Sequence, residues 1–86
     1  MAAPSPLLAA IGRRVRAARL RAGLTQEELA ALVCLTRPSI TNLEGGRQDM
    51  PITRLELIAQ FTGTQLTDLI PETPQIRRPA LAGAAR

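Results

Sequence analysis

Residues 37–44, Arg-Pro-Ser-Ile-Thr-Asn-Leu-Glu, gather hydrogen-bonding side chains on one side of a short segment. If the segment is helical, Ile40 and Leu43 face one way, and Arg37, Pro38, Thr41 and Asn42 face outward or toward its start. A solvated helix face usually carries several glutamates or lysines, whereas this one is neutral or basic and compact. A guanidinium can fork onto guanine O6 and N7, a carboxamide can do the same on adenine, and threonine or proline can meet the methyl of thymine. The pattern predicts base contacts in a major groove from Arg37, Pro38, Thr41 and Asn42. The plainer alternative is that Thr41 and Asn42 are simply solvated.

The rest of the inventory removes other chemistries. The 86 residues include eleven arginines but no lysine, histidine, tyrosine or tryptophan, with one cysteine and one phenylalanine. A zinc site needs several thiolates or imidazoles, and Cys34 alone cannot supply them, so no metal or cofactor is expected. Catalytic triads, cysteine–histidine dyads and lysine Schiff bases cannot be assembled, which argues against an enzyme. Stacking on single-stranded nucleic acid would have only Phe61 to use. No apolar run approaches the roughly 20 residues of a membrane span. Residues 1–10 are small and apolar but lack the preceding basic region of a signal peptide, so the chain reads as cytoplasmic.

Short helices must position these groups. Leu8, Ile11, Val15, Ala18 and Ala22 recur at spacings of three and four and predict a first helix, with Gly23 as its left-handed stop. Leu20 falls on the arginine side, where it either meets another subunit or is simply exposed. Thr25-Gln-Glu-Glu28 forms a capping box, with Leu24 and Leu29 placed for a hydrophobic staple. Eleven residues later the start signal recurs: Thr36 can cap, Leu35 and Ile40 can staple, and Pro38 lies in the first turn. The two helices are linked by Val33-Cys34-Leu35-Thr36 and must cross steeply, as in a helix-turn-helix, with Gly45-Gly46 closing the second. A further helix from about Ile52 to Phe61 offers Leu55, Ile58 and Ala59 to the core and ends at Gly63. Thr64 can cap a last turn with Leu66, Leu69 and Ile70 inward, before Pro71. The expectation is an all-α domain of five helices over residues 7–70, a flexible 1–6 segment, and a disordered Pro/Ala/Arg tail over 71–86.

Charge is uneven along this plan. Residues 1–24 hold five arginines and no acid, residues 25–70 hold three arginines and six acids, and residues 71–86 hold three arginines and Glu72. Arg13 and Arg16 lie opposite the apolar stripe as a solvated face that attracts polyanions at long range. Arg14 and Arg21 flank the stripe and can approach a phosphate. Gln26, at a helix start, is placed for a phosphate contact; Thr36, Ser39 and Arg47 are further candidates.

Residues 26–45, with the small Ala30 and the apolar Leu29, Val33, Leu35, Ile40 and Leu43, resemble the bihelical unit of the lambda-repressor-like proteins, also called the Cro or XRE family. Upstream Ile11-Gly-Arg-Arg-Val15 through Arg19 and Gly23-Leu-Thr-Gln26, and downstream Asn42-Leu-Glu-Gly-Gly-Arg47 and Leu55–Ala59, follow the family pattern, so the resemblance covers about residues 8–70. The departure is Cys34, where the family usually has glycine; a left-handed non-glycine residue costs on the order of 1 kcal/mol. As a thiol, Cys34 is either a partly buried inert group or a redox sensor.

The resemblance implies a small bacterial or phage transcriptional regulator, most often a repressor, reading a palindromic double-stranded operator as a homodimer. It implies a phosphate contact from Gln26, a brace between Arg19 and Glu44, and pairing through Leu66–Pro71 and the Phe61–Gln65 turn. Thr25 and Glu28 would support the helix start. A second reading is an antitoxin or interaction module whose residues 71–86 bind a partner protein, with autoregulatory DNA binding. A third, a degenerate module binding only protein, would have lost the polar side chains of residues 37–42.

Overall fold

The computed structural model describes residues 5–72. Five helices follow one another: α1 (Pro6–Arg21), α2 (Gln26–Leu32), α3 (Arg37–Glu44), α4 (Ile52–Thr62) and α5 (Leu66–Leu69), with no strand among the described residues. The domain is all-α. The first helix starts one residue before the expected boundary, because Ser5 caps it by accepting from the Leu8 amide at 3.3 Å and Pro6 sits where no N–H is needed. Residues 1–4 and 73–86, which carry most of the two terminal segments expected to be flexible, lie outside the described residues.

One core joins all five helices. Ile11, Val15 and Ala18 of α1 meet Leu29, Ala30 and Val33, then Ile40 and Leu43 of α3, then Leu55, Ile58, Ala59 and Leu69. Ala22 does not join the stripe; it is exposed, because the helix has already reached its C-cap there. Leu24 and Leu35, the two residues placed before helix caps, pack on the core edge. Thr64 is not the cap of the last helix. Gln65 takes that position, and the Asp68 carboxylate turns back to accept from the Gln65 amide at 3.3 Å and the Thr64 hydroxyl at 3.2 Å.

The helix-turn-helix is set by how α2 ends. The Cys34 amide donates to Ala31 O at 3.3 Å and the Leu35 amide to Ala30 O at 2.8 Å, the paired bonds of a Schellman closure. That closure needs a left-handed residue, and Cys34 supplies it with φ of 58°. The same pair of bonds closes α1 at Gly23 and α3 at Gly46, so Cys34 is the position where a side chain occupies a glycine geometry. Behind the turn, Arg54 NH1 donates to Val33 O at 2.7 Å and ties α4 to the end of α2.

α3 lies between α1 and α2, and its far end is held by a very close crossing. A Cβ at Gly12 of α1 would run into the backbone carbonyls of Leu43 and Glu44. Glycine costs a helix interior about 1 kcal/mol relative to alanine, and here it permits that approach. Together α1, the Cys34 turn and Arg54 fix the helix carrying residues 37–44 at both ends.

Candidate nucleic-acid interface

The start of α3 is exposed and free of acid. Thr36 caps it, its hydroxyl accepting from the Ser39 amide at 3.3 Å and donating to the Ser39 hydroxyl at 3.0 Å. Arg37 and Pro38 stand exposed on the first turn, and Thr41 and Asn42 follow one turn later, partly buried. The backbone amides of this end and the helix dipole favour negative charge, yet the first turn carries a cation in place of an acid. Such an end suits an anionic ligand from outside the chain.

The acid on α3 is at the other end and hidden. Glu44 Oε2 accepts from Arg19 Nε at 2.6 Å and its Oε1 from Arg19 NH2 at 3.0 Å, a two-pronged pair with both side chains buried. Arg19 NH1 also donates to Leu24 O at 2.9 Å, beside the closure of α1. Donating to Glu44 holds the arginine proton more firmly than in a free arginine, against the opposing effect of burial. The fork neutralises the carboxylate and removes the repulsion it would otherwise exert on a polyanion.

Gln26 links the two helices. Its Nε2 donates to Glu44 Oε1 at 3.0 Å, and its Oε1 accepts from the Thr41 hydroxyl at 2.8 Å. One amide N–H of Gln26 stays unspent. At the start of α2 the box is complete: Thr25 Oγ1 accepts from the Glu28 amide at 3.0 Å, and Glu28 Oε1 accepts from the Thr25 amide at 2.8 Å. Arg47, exposed after α3, folds back over Gly45, its Nε 3.4 Å from Asn42 Oδ1. Side chains of Gln26, Thr36, Arg37, Pro38, Ser39, Thr41, Asn42 and Arg47 thus belong to α3 or its immediate neighbours. Arg14 is engaged elsewhere: its NH1 donates to Asp68 O at 3.1 Å, in α5.

A family model described as a helix-turn-helix domain matches residues 10–71. The chain belongs to that family. This helix-turn-helix protein is similar to the restriction-modification controller protein C.Esp1396I, with 31% identity and a TM-score of 0.68 over 76% of this chain and 86% of that one. It is similar to the controller protein C.AhdI from Aeromonas hydrophila, with 28% identity and a TM-score of 0.69 over 73% and 91%. It is also similar to the clp gene regulator ClgR from C. glutamicum, with 26% identity and a TM-score of 0.72 over 80% and 88%. Compared with curated proteins, the sequence has no match. The family and these structures place the helix-turn-helix protein among the DNA-binding transcription regulators of the lambda-repressor-like, XRE type.

Three structural contributors escaped the sequence reading. Gly12 carried a usable signal, since a glycine inside a helical pattern often marks a close backbone approach. Arg54 gave none, because a lone arginine in an amphipathic helix reads as solvated. The link from Gln26 to Thr41 joins residues fifteen apart and depends on how steeply α2 and α3 cross.

Proposed function

We propose that this chain is a sequence-specific repressor that binds duplex DNA as a homodimer, with α3 in the major groove. The observation carrying the proposal is the division of charge on α3: Arg37 stands exposed at an acid-free N-terminus, while Glu44 is buried against Arg19. In this reading Arg37 and Asn42 contact base edges, with Pro38 and Thr41 beside them. Gln26 uses its unspent N–H on a phosphate. Ser39, whose hydroxyl proton is free, and Arg47 take further phosphates; the Thr36 proton is spent on Ser39. Arg14 braces α5 instead.

A single module this small covers few base pairs, so useful affinity calls for two half-sites about 10 base pairs apart, one helical turn. The exposed Phe61 at the end of α4, 45% accessible, supplies an apolar anchor for the pairing, beside the partly buried Leu66 and Ile70. Controllers of restriction-modification and of clp genes among its structural neighbours agree with a regulatory role. Selection of bound sites from random duplex DNA tests the proposal. Enrichment of two like half-sites about one turn apart supports it; recovery of unenriched DNA overturns it.

A further inference from the structure

We infer that Thr41 selects a base bearing an exocyclic amino group, adenine through N6 or cytosine through N4, because the fold fixes its hydroxyl as a hydrogen-bond acceptor. The inference rests on the reading that α3 enters the major groove and adds the sense of one contact within it.

A free threonine hydroxyl rotates to suit its partner and can donate or accept, so it reads either kind of base. Thr41 is not free in that sense. The order begins at Arg19, a residue with donors only, whose Nε and NH2 occupy both oxygens of Glu44 at 2.6 and 3.0 Å. The Glu44 carboxylate, acceptor only, receives one further donor at Oε1, and the group that reaches it is the Gln26 amide at 3.0 Å. The orientation of that amide is thereby decided on chemical grounds. Turned over, the Gln26 carbonyl oxygen would face a carboxylate oxygen and the NH2 would face Thr41, losing the bond to Glu44. With NH2 toward Glu44, the Gln26 oxygen faces Thr41 at 2.8 Å and can only accept. The single hydroxyl proton of Thr41 is committed to it.

Thr41, half-buried like Asn42, follows the exposed Arg37 and Pro38 by one turn, and what its hydroxyl has left to offer is lone pairs. In the major groove, adenine and cytosine present amino donors, whereas guanine O6 and thymine O4 present acceptors. An acceptor-only hydroxyl attracts the first pair and meets the second with opposed lone pairs. Discrimination at this base therefore comes from a residue that never touches DNA in the scheme, Arg19, acting through Glu44 and Gln26. Thr41 is the specificity-determining group, and the other three are positioning residues.

The test uses the full chain and the site it selects. The position read by Thr41 is the one whose preference changes in Thr41→Val, a variant of nearly the same shape. At that position adenine is replaced by purine lacking the 6-amino group, or cytosine by 2-pyrimidinone lacking the 4-amino group. Wild type should lose roughly 3- to 10-fold in affinity, the worth of one hydrogen bond, and Thr41→Val should bind both duplexes equally. Thr41→Ser should keep the wild-type discrimination. Gln26→Met releases the hydroxyl: binding weakens on all duplexes, and the ratio between amino-bearing and keto bases at that position falls toward one. The inference is overturned alone if wild type selects a site but Thr41→Val changes preference nowhere, or if the position proves to be guanine or thymine. Unchanged discrimination in Gln26→Met would also overturn it. If wild type selects no site, the reading of α3 fails and takes this inference with it.

Discussion

The two helices of the bihelical unit start alike and diverge within one turn. Each begins with a threonine cap, Thr25 for α2 and Thr36 for α3. In α2 the first turn continues with Glu27 and Glu28, and Glu28 closes the box, so its charges run with the helix dipole. In α3 the third position is Ser39, the first turn carries Arg37, and the one acid comes last, so its charges run against the dipole. The misplaced acid is compensated by Arg19 from another helix; the misplaced cation has no acidic partner among the described residues. α2 thus meets its own electrostatic needs, whereas α3 keeps on its first turn a cation that the proposed polyanion would meet.

Removing the compensation at the far end of α3 should give the largest effect. Glu44→Ala strands the buried Arg19 and frees Gln26, and breaking a buried pair from one side costs about 3–5 kcal/mol. Urea unfolding should show that loss, and a cost below about 1 kcal/mol would mean that solvent already screens the pair.

Arg37→Glu comes next and separates the two purposes of α3. Placing an acid in the first turn should raise stability by roughly a few tenths of a kcal/mol. Affinity for the selected duplex should fall by at least about 5-fold, the lower bound for a lost arginine–guanine fork. Parallel thermal unfolding and fluorescence anisotropy would check both signs, and stability and binding falling together would erase the contrast with α2.

The caps offer a finer comparison. Thr25→Ala should cost about 1 kcal/mol, more than Thr36→Ala, since only Thr25 belongs to a reciprocal box. Equal losses in urea unfolding would remove the distinction between the two starts. A comparably small change in stability is expected of Ser39→Glu, which writes the α2 box onto α3. It should add roughly 0.5 kcal/mol or less while weakening DNA binding, and tighter binding would contradict the assignment of that end to a polyanion.

Much of this was legible in the sequence because it is local. The caps at Thr25 and Thr36, the stops at Gly23 and Gly46, and the core stripe from Ile11 to Ala18 are each decided within a few residues by hydrogen bonding and periodicity. Ala22 and Thr64 show the limit of that logic. Periodicity continues past the point where a helix has ended, and a threonine before a helix yields its place when an aspartate can turn back on the following amide. The candidate site was visible as residue types on α3, since an outward face needs only a helix and its two inward residues. What was not visible is how those side chains hold one another. The order from Arg19 to Thr41 spans three helices and turns on distances of 2.6–3.0 Å that no spacing rule supplies. The approach of Gly12 to Leu43 and Glu44 likewise depends on two helices crossing rather than on either one.

The central claim is that α3 reads bases while its neighbours hold phosphates. Its most direct test is the ratio of affinities for the selected duplex and a scrambled one, measured for wild type, Arg37→Ala and Gln26→Ala at fixed salt. Arg37→Ala should collapse the ratio by roughly 10- to 100-fold, mostly through the selected duplex, and Gln26→Ala should weaken both duplexes alike and leave the ratio standing. An Arg37→Ala protein that kept both the wild-type ratio and the wild-type affinity would show that α3 does not do the reading.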